Sequence, residues 1–124
     1  MVNVKRVHRT MEYKSTAKYI KFSPYKLRPL VDEVRGESVQ SALNWLSTQA
    51  FKRVLPITKV IESAVANAKQ LENQQVEDLV IREICVDAGP VFKYFKPGAM
   101  GRAQVQRRRT SHIRVILENA KTAS

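Results

Sequence analysis

From Ala88 to Leu117 the chain runs for thirty residues without an aspartate or glutamate, while carrying Lys93, Lys96, Arg102, Arg107, Arg108, Arg109 and Arg114. The middle of this stretch contains Gly89, Pro90, Pro97, Gly98 and Gly101 and has no helical period, which excludes a helix. Two alternating apolar runs flank it. Leu79–Val86 sets Val80, Ile84 and Val86 on one side, and Thr110–Glu118 does the same with Ile113, Val115 and Leu117, the pattern of half-buried antiparallel partners. With Val86 and Ser111 near the base, each arm from Asp87 to Pro97 covers about ten residues, or roughly 33 Å at about 3.3 Å per residue. A domain of this size has a radius of only about 13–14 Å, so the arms must leave the body. Such an arm has few large aliphatics to bury, and it is expected to need a partner to order it.

The rest of the chain reads as a small body. Residues 13–22 are rich in β-formers with loose alternation and predict a strand. Ser23-Pro24 is a helix-start signal, followed by Leu27, Leu30, Val31 and Val34 at helical spacing and closed by Gly36. Pro29 inside that span predicts a tightened or kinked helix. Ser38 caps a second helix with a stripe of Val39, Ala42, Leu43 and Leu46, and Trp45 at its flank reads as packing rather than a stacking platform. A third helix spans about 51–71, with Val54, Ile57, Ile61, Ala64, Val65 and Ala68 on one face. Pro56 requires it either to start near Leu55 or to bend there.

Charge narrows the function. The 124 residues carry a net charge of +11, which points to a polyanionic partner. The distribution is uneven: nine of the eleven acids lie between Asp32 and Asp87, whereas Lys5, Arg6, Arg9, Lys14, Lys18, Lys21, Lys26 and Arg28 face only Glu12 in the first quarter. The chain thus has two basic ends around a near-neutral middle. Lysines and arginines on both hairpin arms suit a polyanion held from two sides, and Arg107-Arg108-Arg109 is unfavourable without counter-charge. Phe92, Tyr94 and Phe95 either stack on bases or pack across the hairpin.

Other chemistries lack residues to carry them. Cys85 is the only cysteine, which excludes an intramolecular disulfide and a Cys-rich zinc site, and its mid-strand position reads as a buried thiol without chemical duty. His8 and His112 belong to no metal-binding or nucleophile motif, there is no Gly-rich phosphate loop, and Asp32-Glu33 and Glu77-Asp78 are adjacent pairs that point apart. No catalytic residue, metal or cofactor is expected. His112, beside Thr110 and Ser111, either donates to a phosphate or backbone group or has a structural role at the hairpin base. No apolar run approaches eighteen residues, and Met1–Met11 lacks the apolar core of a signal peptide, so no membrane contact is expected.

A series of short motifs then appears in order: Ser23-Pro24-x-Lys26-x-Arg28, Val31-Asp32-x-Val34-Arg35-Gly36, Ser63-Ala64-x-Ala66-Asn67-Ala68, Val86-Asp87-x-Gly89-Pro90-x-x-Lys93, Pro97-x-Ala99-x-Gly101-Arg102-Ala103 and Arg109-Thr110-Ser111-His112-Ile113. Each alone is weak, but the ordered set over residues 13–118 resembles the large-subunit ribosomal protein L-twenty-two family of bacterial or organellar type. The resemblance implies an α+β fold, three helices on a small antiparallel three-stranded sheet with a long protruding β-hairpin. The expected division is a globular body of 13–86 and 111–118, a hairpin of 87–110, and tails of 1–12 and 119–124 that stay flexible until bound.

The implied role is structural, in the ribosome of the cytoplasm or of an organelle. Its implied partners are large-subunit (23S-type) ribosomal RNA, neighbouring ribosomal proteins and the nascent polypeptide, with no self-oligomer. Candidate RNA contacts are Lys14, Lys18, Lys21, Ser23, Pro24, Lys26, Arg28 and Arg35 in the body. Lys93, Lys96, Arg102, Arg107, Arg108, Arg109, Thr110, Ser111 and His112 continue the set along the hairpin. The tip lining an exit tunnel is Lys96, Pro97, Gly98, Ala99, Met100 and Gly101. The chain departs from the family pattern at Tyr25, Pro29, Pro56, Tyr94 and Gly98. The rival reading is an architectural DNA-binding protein with a basic β-ribbon arm, which would favour duplex DNA and an intimate dimer.

Overall fold

The computed structural model describes residues 12–120. Along the chain come β1 (Glu12–Ile20), α1 (Pro24–Val34), α2 (Val39–Ser47), α3 (Val54–Glu72), β2 (Leu79–Pro97) and β3 (Ala103–Asn119), with single 3-10 turns at Val76–Asp78 and Ala99–Gly101. The strands form one antiparallel sheet in the order β1-β3-β2. The α+β class, the three helices and the long hairpin are as expected. The tail residues 1–11 and 121–124 lie outside the described residues, while Glu12 and Asn119, counted with the tails, sit in strands.

Apolar periodicity builds the core. In α1 the four spaced residues Leu27, Leu30, Val31 and Val34 are all buried, Ser23 is the N-cap and Pro24 occupies the first turn. The helix runs through Pro29 without interruption. Proline removes the donor to the carbonyl of Tyr25, and both residues lie on the exposed side of the helix. The Ser38 hydroxyl caps α2 by accepting from the Ser41 N–H at 3.3 Å. Val39, Ala42 and Leu46 of α2 are buried, and Trp45 packs half-buried against them. Helix α3 starts at Val54, so Pro56 falls in its first turn, where a missing N–H costs no intrahelical bond. Its buried face, Val54, Ile57, Val60, Ile61, Ala64, Val65 and Ala68, meets Tyr13 of β1 and Ile113, Val115 and Leu117 of β3 in one core cluster.

The alternation expected in β2 is corrected. The inward residues are Leu79, Ile81, Ile84 and Val86, and Val80 falls on the other side. Ile81 pairs with Leu117 but Glu83 pairs with Ile116, so Arg82 is an extra residue whose bulge reverses the alternation. The bulge aims Arg82 at the Glu12 and Glu118 carboxylates. Cys85 is half-buried rather than buried, because it lies between inward-facing Ile84 and Val86 and opposite Arg114.

Beyond Val86 the two strands continue as a ribbon. Pairing runs from Val91 with Arg109 to Pro97 with Ala103, and no residue from Asp87 to Arg109 is buried. At the tip the Gly98 N–H donates to the Arg102 carbonyl, and the Arg102 N–H donates to Ala99 at 3.4 Å. A Cβ on Gly98 would lie 2.7 Å from that Arg102 carbonyl, so the close crossing there requires glycine. Met100 sits in the left-handed region at φ 59° and is 99% exposed.

Candidate nucleic-acid interface

Three consecutive polar residues of β3 fasten the base of the ribbon. The Thr110 hydroxyl donates to the Pro90 carbonyl at 2.7 Å, and the Ser111 hydroxyl donates to the Phe22 carbonyl at 2.5 Å. Nδ1 of His112 accepts from the Tyr19 N–H at 3.1 Å, and the two rings meet edge-to-face at 5.1 Å. Tyr19 can offer that N–H because β1 carries a bulge between Ala17 and Ile20, with Tyr19 in the left-handed region at φ 59°. A non-glycine residue held there costs of order 1 kcal/mol, and such strain persists only where neighbours enforce it.

These bonds hold the β1–α1 connection beside the hairpin base and leave a cleft of about 740 Å³ between them. Tyr19, Lys21, Phe22, Ser23 and Lys26 line one side; Phe92, Arg107, Arg108, Arg109 and Thr110 line the other. Among the described residues, five cations and three aromatic rings thus share one cleft, and no carboxylate lines it. Ser23 brings the N-terminal end of α1 to its edge, where the helix dipole adds partial positive charge.

The ribbon extends this surface on both faces. Register puts Val91 with Arg109, Lys93 with Arg107 and Phe95 with Val105 on one face, and Phe92 with Arg108, Tyr94 with Gln106 and Lys96 with Gln104 on the other. The aromatics therefore do not pair with one another across the hairpin. The Arg108 guanidinium lies 5.5 Å from the Tyr94 ring centroid, and Phe95 is 71% exposed. Ion pairs among the described residues cluster on the body instead: Lys14 with Glu12, Arg35 with Asp32, Arg82 with Glu12 and Glu118, and Arg114 with Glu83. Among those residues, none of the cations from Lys93 to Arg109 has a carboxylate partner.

The expected contact residues separate accordingly. Lys21, Ser23, Lys26, Arg107, Arg108, Arg109 and Thr110 converge on the cleft, while Lys93, Lys96 and Arg102 continue along the exposed ribbon. Lys18 is exposed on β1, and Pro24 opens α1 next to the cleft. Arg28 and Arg35 are turned toward the body: Arg28 donates to the Val86 carbonyl at 3.4 Å, and Arg35 donates to Ile84 through Nη2 at 2.9 Å and Nε at 3.3 Å. Both tie α1 to β2. Thr110 and Ser111 are buried, so their hydroxyls serve the hairpin base and not the surface. Tyr19 and Phe22 were missed as cleft residues; their signal was aromatic side chains interleaved with Lys18 and Lys21 before Ser23-Pro24, read only as strand-forming.

Two displaced titrations lie elsewhere. Burial, then the Glu72 carboxylate, pushes the Tyr13 hydroxyl up. Arg114 is held above its usual range by Cys85 and Glu83. Neither residue lines the cleft. No cluster of His, Cys, Asp or Glu among the described residues has metal-binding geometry, and no helix among them is long and apolar enough to cross a membrane.

Comparison with known proteins decides the family. The family model described as ribosomal protein L22p/L17e matches residues 15–118. The chain belongs to this family. The chain is 45% identical over 111 residues to large ribosomal subunit protein uL22 of Desulforamulus reducens, covering 90% of the chain and 98% of that protein. It is 44% identical over 108 residues to the uL22 of Desulfitobacterium hafniense, covering 87% and 95%, and 40% identical over 116 residues to that of a Synechococcus species, covering 91% and 94%. L22p/L17e proteins are structural components of the ribosome, which is cytoplasmic in bacteria, and are not enzymes. Membership sets aside the architectural DNA-binding reading.

Proposed function

We propose that the chain is a structural protein of the large ribosomal subunit that binds ribosomal RNA through the basic cleft and both faces of the ribbon. In this reading the neutral tip, Pro97 to Gly101, lines the nascent-chain exit tunnel, neighbouring ribosomal proteins contact the body, and the chain aids subunit assembly. The observation that carries the reading is the segregation of charge. The ion pairs among the described residues all lie on the body, at Lys14, Arg35, Arg82 and Arg114, whereas the cations of the cleft and ribbon have no carboxylate partner among those residues and face outward on two sides. Such a surface is held by phosphates, whose bound counterions are released on contact.

The test is the salt dependence of binding to large-subunit RNA. If six to ten phosphates are engaged, log affinity falls linearly with log salt with a slope of about −4 to −9. A slope near zero rejects the reading. Deleting Lys96–Gly101 and rejoining the strands tests the role of the tip. The body should retain its unfolding midpoint, because none of these residues is buried, while large subunits carrying the shortened chain should respond differently to ligands that bind in the tunnel. Loss of the folded body, or tunnel behaviour identical to that of the parent, counts against the tip assignment.

A further inference from the structure

The cleft differs from the ribbon in one respect that matters for recognition: it is concave and has aromatic walls. A surface that only neutralises phosphates needs no enclosed space. Here Phe92, Phe22 and Tyr19 share about 740 Å³ with Lys21, Lys26 and the three arginines, within the range of roughly 300–1,000 Å³ typical of small-ligand sites. Phe92 is 56% exposed and stands opposite Arg108 across the ribbon, so its ring is a free face beside a cation. The opposing wall is fixed by the Ser111 bond to Phe22 and the His112 bond to Tyr19, which makes the cleft preformed rather than induced.

We propose that this cleft takes one unstacked nucleotide of single-stranded RNA, its base lying on the Phe92 ring and its flanking phosphates meeting Lys21, Lys26 and Arg107–Arg109. The proposal rests on the RNA-binding reading above and adds the mode of engagement. Charge complementarity selects an anion, since five cations and no carboxylate line the cleft among the described residues. The aromatic walls select an anion that also carries a flat ring. A duplex keeps its bases stacked inside and offers only phosphates, so the cleft distinguishes single strands from duplexes. Stacking one base on one aromatic is sequence-tolerant, because every base has such a face.

The experiment compares three probes for the full chain: an oligouridylate, an abasic ribose-phosphate oligomer of the same length, and an RNA duplex of equal phosphate count. The parent should bind the oligouridylate about tenfold or more tightly than the abasic oligomer. Phe92→Ala should remove that difference while leaving duplex affinity and the salt slope unchanged, and Phe92→Tyr should restore it. Phe51→Ala, an exposed ring ahead of α3 that lines neither the cleft nor the ribbon, should preserve it. Equal binding of base-bearing and abasic oligomers by the parent, or an undiminished difference in Phe92→Ala, overturns the proposal. In either case a steep salt slope leaves the RNA-binding reading standing. A slope near zero for the parent overturns both.

Discussion

Replacing Arg107, Arg108 and Arg109 together by glutamate should reduce affinity for large-subunit RNA by about 10³-fold at roughly 0.1 M salt and make the salt slope shallower by about two to three units. The three arginines occupy both faces of the ribbon and one wall of the cleft, and none is occupied by a carboxylate among the described residues. Each therefore has its charge available to a phosphate. The body should fold as before, because all three side chains are exposed and the reversal relieves repulsion among neighbouring cations. A matched reversal of Lys52, Lys59 and Lys69, exposed residues of α3 and the turn before it, changes net charge equally but leaves the ribbon intact. It should cost far less. Equal losses from the two triple variants would show that net charge, not this surface, governs binding. Filter binding across a salt series, with urea unfolding as the folding control, reads both outcomes.

Gly89→Ala should destabilise the protein by about 1–3 kcal/mol, the usual cost of forcing an extra methyl into a closed site. The bulge at the hairpin base sets Gly89 and Pro90 against Thr110 alone, bringing the strands close. A Cβ on Gly89 would lie 2.5 Å from Thr110 Oγ1 and 3.2 Å from the His112 ring. Neither neighbour is free to move aside, since Thr110 is bonded to Pro90 and His112 to Tyr19. Adding Thr110→Ala removes the nearest clash at the cost of one hydroxyl bond, about 1 kcal/mol. The double variant should therefore be more stable than the sum of the two single losses predicts. Strict additivity in urea unfolding, or a parent-like midpoint for Gly89→Ala, would show that the site has room.

The helices, the projecting ribbon and the segregation of charge were legible because each rests on a pattern repeated over many residues. The face of Val80 was not. A single inserted residue at Arg82 reverses every side chain before it, and alternation alone carries no sign of the insertion. Cys85 lies beyond the insertion, and its alternation with Ile84 and Val86 already put it on the outer face, so its half-burial was legible. The cleft was hidden for another reason: its two walls are about seventy to ninety residues apart in sequence, joined by the buried Ser111 hydroxyl and the His112–Tyr19 bond. Thr110, Ser111 and His112 look like surface chemistry in a linear reading, because nothing in the residue types says that their hydrogen bonds are spent on the protein itself. Nor does the sequence show that the guanidinium groups of Arg28 and Arg35, expected at the RNA surface, also tie α1 to the backbone of β2.

The bulge of Gly89 and Pro90 against Thr110 acquires a mechanical meaning once the length beyond it is considered. From Asp87 to Pro97 the ribbon reaches roughly 33 Å, so a rotation of about 10° at the bulge sweeps the tip through roughly 6 Å, the width of a side chain. Angular slack that would be harmless in a compact domain becomes positional error at the end of a lever. The bonds gathered at the pivot, from Thr110 to Pro90, Ser111 to Phe22 and Tyr19 to His112, act at the place where stiffness has most effect on where the tip points.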